Sequence, residues 1–293
     1  MNTAVNEWKL MTMAFNNELN NALQQQHHAA QFIALVGRYL IPQQPDDSNT
    51  NMEFIFGKDM LLGNALANGM RMALQMSEMK ISILDKKNNV KNVIALEGKI
   101  KQKVFDELTQ NLADFGIDVT DFKNELHYEI PSHQLDKDAV FSKKNENDFI
   151  ETTNYRHNAK IILNEIAQQF EQEEPIRIWP HHFDTGAFFA IGKNEKGETT
   201  QTIGIGLAIP DIMINEPYYY LSFWSENSIK GLEKFDALDA GKWMMPDWNS
   251  AVLKQSEILE VGSVIGQHKL VKSFFNSGIN ILMDHFNKIK PTR

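Results

Sequence analysis

The stretch Thr202-Ile203-Gly204-Ile205-Gly206-Leu207-Ala208-Ile209 alternates small with large residues, and a period of two is the pattern of a half-buried β-strand. Outward from it lie further strand-like stretches at 176–183, 187–191, 218–224 and near 242–253. The turn Gly192-Lys193-Asn194-Glu195-Lys196-Gly197 sets up a hairpin between two of them. A helix precedes the set, marked by Tyr155, Ala159, Ile162, Ile166 and Phe170. Another closes it, with Val271, Phe274, Gly278, Leu282 and Phe286 at helical spacing.

The first half has the same grammar. Trp8, Met11, Phe15, Leu19, Ala22 and Leu23 form one apolar stripe, which resumes at Ala30, Ile33, Val36 and Leu40 after the polar run Gln24-Gln25-Gln26-His27-His28. This predicts one kinked helix or two consecutive ones, ending before Pro42. Strands are expected at 52–56, 69–76, 79–84 and 92–96, the last two joined by a hairpin over 85–89. A helix over 98–115 follows, with Gly116 placed for a left-handed C-cap. Residues 118–150 lack periodicity and mark the boundary between halves.

The expectation is therefore an α+β protein of two similar lobes, each a mainly antiparallel sheet backed by helices. The N-terminal lobe covers 1–133, a connecting segment 134–154, and the C-terminal lobe 155–293. Identity between the halves is too low to establish a duplication. A cleft between lobes is the default ligand site.

The 293 residues are 42% apolar and 23% charged, which is ordinary for a folded protein. The net charge of −9 disfavours nucleic-acid binding, since phosphate contact requires a basic face. No run approaches the length of a membrane span, and the N-terminus does not read as a secretory signal. The chain contains no cysteine, which removes thiol chemistry, leaves histidine and carboxylates as metal ligands, and fits a cytoplasmic address.

The segment Trp179-Pro180-His181-His182-Phe183-Asp184-Thr185-Gly186 is the candidate for chemistry. On an extended strand His182 and Asp184 share a face, a start for either metal binding or acid–base work. Glu226, Asp247, His268, His27 and His28 are the residues that could converge on them. The bland alternative is a strand end where Asp184 caps the turn before Gly186. Trp179, Trp224, Trp243 and Trp248 lie in the second half with Tyr218-Tyr219-Tyr220, and such aromatics line ligand pockets as readily as they fill cores. Tyr218, Tyr220 and Trp224 share one strand face and Tyr219, Leu221 and Phe223 the other, so at least one set is core.

The order of landmarks resembles an uncharacterised bacterial family of about this length, catalogued as a domain of unknown function. The residues that carry the resemblance are Gln31-Phe32-Ile33 through Val36-Gly37-Arg38, Leu112-Ala113-Asp114-Phe115-Gly116-Ile117, Ile130-Pro131 with Asp138, Trp179 followed by Phe183-Asp184, and Phe223-Trp224. The strand at 204–209 lacks the Ser-His-Glu run of that family. The resemblance implies no activity and no cofactor.

Three functions follow as expectations. The first is a small-molecule binding protein with an aromatic pocket near His182 and Asp184, drawing on Trp179, His181, Trp224 and Glu226. The second is a metal-assisted hydrolase using histidine and carboxylate ligands. The third is an interaction or scaffold protein without a small ligand.

Overall fold

After a short helix α1 (Thr3–Glu7) the chain runs without regular secondary structure to Asn16, where the apolar stripe predicted helix. Paired side chains hold it in that form. Asn158 exchanges hydrogen bonds with the Lys9 backbone at 2.7 and 2.8 Å, and Gln267 does the same for Met11 at 2.8 and 3.0 Å. Asn16 then caps α2 (Asn17–Leu40), accepting from the Leu19 amide at 2.9 Å. Gln24–His28 does not divide α2, which runs unbroken through it and is buried over 22–37.

The computed structural model describes residues 3–171, 174–226 and 235–288. Their contacts fall into two units: unit 1 is Met1–Phe15, Asn158–Ile176 and Asp184–Arg293, and unit 2 is Asn16–His157 and Arg177–Phe183. The segment 134–154, expected to connect the halves, lies wholly inside unit 2.

Unit 2 contains β1 (Met52–Ile55), β2 (Met60–Gly63), β3 (Arg71–Gln75), β4 (Lys80–Leu84) and β5 (Val90–Ala95), then α3 (Lys101–Asp114), the first half of α4 (Glu146–Ala167), and β6 (Arg177–Trp179). Its strands run β6-β1-β2-β3-β4-β5, all antiparallel. Leu61, Leu74, Ile81 and Ile94 align across four of them and are fully buried. α2 lies on this face, its Ile33 occupying the space a Cβ at Gly63 would need. Burial of all four β2 residues leaves no alternation to read, so the sequence pattern missed it. The 85–89 hairpin forms as expected, with Asp85 accepting from the Lys87 and Asn89 amides. Gly116 ends α3 at φ +76°, as its position predicted.

Unit 1 contains the rest of α4, then β7 (Asp184–Lys193), β8 (Thr199–Ala208), β9 (Tyr218–Ser225), β10 (Lys242–Trp243), β11 (Ser250–Lys254), α5 (Gln255–Leu259) and α6 (Val264–Lys288). Its strands run β10-β11-β9-β8-β7, again antiparallel. One face carries Ile203, Ile205, Leu207, Tyr219, Leu221, Phe223, Ala251 and Leu253, all buried. α6 covers it: the Phe275 ring meets Tyr219 edge-on at 5.9 Å, and Gly278 leaves room for Leu221. The protein is α+β, as the patterning predicted.

Candidate functional site

The segment expected to extend through Phe183 stops being a strand at Trp179 and turns over 180–183. The Phe183 amide donates back to the Trp179 carbonyl at 2.7 Å, and Phe183 sits at φ +51°. A turn has no period of two, so the shared face inferred for His182 and Asp184 does not exist. His182 is exposed and His181 half-buried. Trp179 and Tyr128 flank the His181 ring at 6.1 and 5.7 Å.

Pro180 and Phe183 are the buried members of the turn, and sequence reasoning left the Phe183 ring unused. That ring stacks on His27 at 4.8 Å with planes 4° apart, and the Arg156 guanidinium lies 4.2 Å from its centroid. Arg156 also donates to the Phe183 carbonyl. The Pro180 carbonyl accepts from His27 Nε2 at 2.8 Å and from Gln31 at 3.0 Å, and Tyr128 donates to Gln31 Oε1 at 2.8 Å. A carbonyl can only accept, so the His27 proton is on Nε2. Nδ1 is a lone pair without a partner among the described residues.

Gln25, Gln26 and His28 of the buried run on α2 serve backbone in the same way. Gln25 pairs with both polar groups of Ser142, at 2.8 and 3.0 Å, and Gln26 donates to the Met76 and Phe149 carbonyls. His28 reaches the Pro131 carbonyl at 3.1 Å. Burial lowers the His27 pKa to about 3 against the raising effect of the Pro180 bond, and His28, Arg156 and His182 lower it further. Burial, then Lys101, brings His28 to about 4. Both imidazoles are neutral at physiological pH. Their chemistry is structural hydrogen bonding that anchors irregular backbone.

A different set of candidates comes together on the other face of the unit 1 strands. Register aligns Gly186 with Gly206 and Tyr220, and Phe188 with Gly204 and Ser222. A Cβ at Gly206 would lie 2.4–2.5 Å from Tyr220 ring and hydroxyl atoms, and one at Gly204 would meet the Phe188 ring at 3.3 Å. Both rings therefore lie down on glycine. Tyr220 crosses to donate to Asp184 Oδ2 at 2.7 Å, and neighbouring Tyr218 donates to Asp211 Oδ2 at 2.6 Å. Trp248 sits 6.1 Å from Tyr220 and 6.4 Å from Tyr218. Phe188 is 60% exposed and Trp224 47%. Burial, then the Asp211 bond and the charges of Asp211 and Asp184, pushes the Tyr218 phenol well above its usual range.

Of the sequence candidates, this face contains Asp184 and Trp224; Trp179, His181 and His182 belong to unit 2. Glu226 is exposed beyond the end of β9, its amide bonded to the Thr200 carbonyl, and Asp247 is exposed in the turn before Trp248. His268 is buried on α6, where it pairs with Glu165 at 2.9 Å and meets the Trp8 ring. Among the described residues no group of three or more histidines and carboxylates is placed to hold a metal ion. Sequence reasoning missed Phe188, Gly186 and Asp211 as members of one surface. The signal was present in the glycines opposite aromatics, but reading it requires the register.

No helix among the described residues is long and apolar enough to cross a membrane. Comparison with family models, curated proteins and solved structures gives no match.

Proposed function

We propose that the protein binds a small molecule on the glycine-floored aromatic face of unit 1. The observation that carries the reading is the exposure of Trp224 on β9, which buries Tyr219, Leu221 and Phe223 on its other side, and of Phe188 on β7, which buries Phe189. A sheet that can cover one aromatic face with a helix, yet leaves flat rings open on the other, presents a stacking surface. The Asp184–Tyr220 pair supplies the polar contact that would orient a ligand. Asp184 and Trp224 keep their place in this reading from the sequence.

The test is a ligand screen by thermal shift and saturation-transfer NMR with wild-type protein and Trp224→Ala. A hit should lose about tenfold or more in affinity in the variant, the size expected for removing one stacking ring. The melting temperature without ligand should stay within a few degrees, since Trp224 is half in solvent. Hits that bind Trp224→Ala and Phe188→Ala as tightly as wild type would place the site elsewhere and end this reading.

A further inference from the structure

We propose a second binding site, at the C-terminal end of α2, for a small oxyanion: a carboxylate or phosphate carried on a flat ring. It does not depend on the aromatic face of unit 1, because every residue of it belongs to unit 2. The residue that carries it is Arg38. Its guanidinium lies 5.2 Å from the centroid of the Tyr39 ring, and its Nη1 is buried without a hydrogen-bond partner among the described residues. Among those residues no carboxylate stands within ion-pair distance of it. Buried donors are nearly always paired, and a charged one is the costliest to leave open, so an acceptor from outside the chain is called for. Arg177 is the second cation. It shares a face of β6 with Trp179, two residues on, and it too makes no hydrogen bond or ion pair among the described residues.

Four segments bring these groups together. Gln31 and Arg38 stand two turns apart on one side of α2, and Gln31 accepts from Tyr128 at 2.8 Å. Tyr128 lies 5.7 Å from the His181 ring, which lies 6.1 Å from Trp179. The turn at Asp46 and Asp47 borders the same place. Burial, then the Asp47 charge, raises the Tyr128 pKa against the lowering effect of Arg38. The Ser48 hydroxyl and amide, and more weakly Arg177, lower that of Asp46. Neither carboxylate bonds to the arginines. Asp47 pairs with His127 at 3.0 Å and accepts from the Thr50 hydroxyl at 3.2 Å, and Asp46 accepts from the Ser48 amide at 3.1 Å. A guanidinium fork matches the paired oxygens of a carboxylate or phosphate, whereas an ammonium would be repelled by both arginines. Trp179 and His181, each half-buried, offer ring faces to the flat part of the ligand.

The experiment titrates the full chain with benzoate, with phenyl phosphate and with neutral benzamide, followed by isothermal calorimetry and by the imidazole signals in NMR. At least one of the anions should bind saturably and about tenfold or more tightly than benzamide, as a charge-assisted pair requires. The tighter of the two identifies the oxyanion. Arg38→Met keeps the aliphatic stem over Tyr39 and should weaken that anion about tenfold, with benzamide unaffected. Arg177→Met should weaken it in the same direction. Binding of neither anion above benzamide, or anion binding that both variants leave unchanged, overturns the site. Should Arg38→Met fail to fold, Arg177→Met and the comparison of the three compounds on wild-type protein decide.

Discussion

A methyl group at Gly206 would meet Tyr220 atoms at 2.4–2.5 Å, well inside van der Waals contact. The ring would have to lift, and lifting it withdraws the hydroxyl from Asp184. Gly206→Ala is therefore expected to cost about 1–3 kcal/mol of stability, as overpacking does. It should also abolish binding at the aromatic face, whereas an exposed glycine such as Gly262, with open space around it, should tolerate alanine. Urea denaturation of the two variants side by side checks the contrast. Equal stability for both would mean that Tyr220 does not lie on Gly206. At this scale the glycines matter for what they lack, and a strand pattern of alternating size cannot say which aromatic uses the vacated space.

At the scale of the element, α2 is the unusual one. A helix buried over sixteen consecutive positions would ordinarily be apolar all round, yet this one carries Gln24, Gln25, Gln26, His27, His28 and Gln31 into the interior. The partners of Gln25, His27, His28 and Gln31 include carbonyls and an amide of segments outside helix and strand: Ser142, Pro131 and Pro180. The helix thus replaces a missing strand neighbour for irregular backbone. Gln25→Leu would keep the volume and strand both polar groups of Ser142, at a cost of about 1–3 kcal/mol per buried group left unpaired. Hydrogen exchange at Ser142 and proteolysis across 118–145 should accelerate in that variant ahead of global unfolding. Unchanged exchange at Ser142 would show that the loop is held by something else.

For the molecule as a whole, these buried imidazoles contribute to the response to acid. His27 has its pKa lowered from 6.5 to about 3 in the fold, so below pH 6.5 the unfolded chain takes up a proton that the folded chain refuses. Its contribution is fully present above about pH 6.5 and is lost as pH falls toward 3. The slope from this one group is about 1.4 kcal/mol per pH unit across that window. His28, lowered to about 4, acts with the same sign. Unfolding free energies from urea titrations between pH 7 and pH 4 should decline accordingly. In His27→Gln the decline should be shallower by one proton, whatever the variant's absolute stability. An identical slope would mean that His27 is already protonated in the fold.

The sequence by itself determined the α+β class, most of the strands, the 85–89 hairpin, the cap at Gly116 and the alternation of β9 between two faces, at least one of them core. Each of these depends on residues close in the chain, where period and turn chemistry are local. Only the tertiary structure decided that Trp8 and Met11 lie outside any helix, that Gln24–His28 is interior, and that Trp179–Phe183 turns. In all three cases the deciding hydrogen bonds come from far along the chain: Gln267 for Met11, Ser142 for Gln25, and His27 for Pro180. The candidate site divides in the same way. Asp184 and Trp224 were legible as polar and aromatic residues on strands, but their place on one face with Phe188 and Tyr220 follows from interstrand register, which a single strand's pattern does not contain.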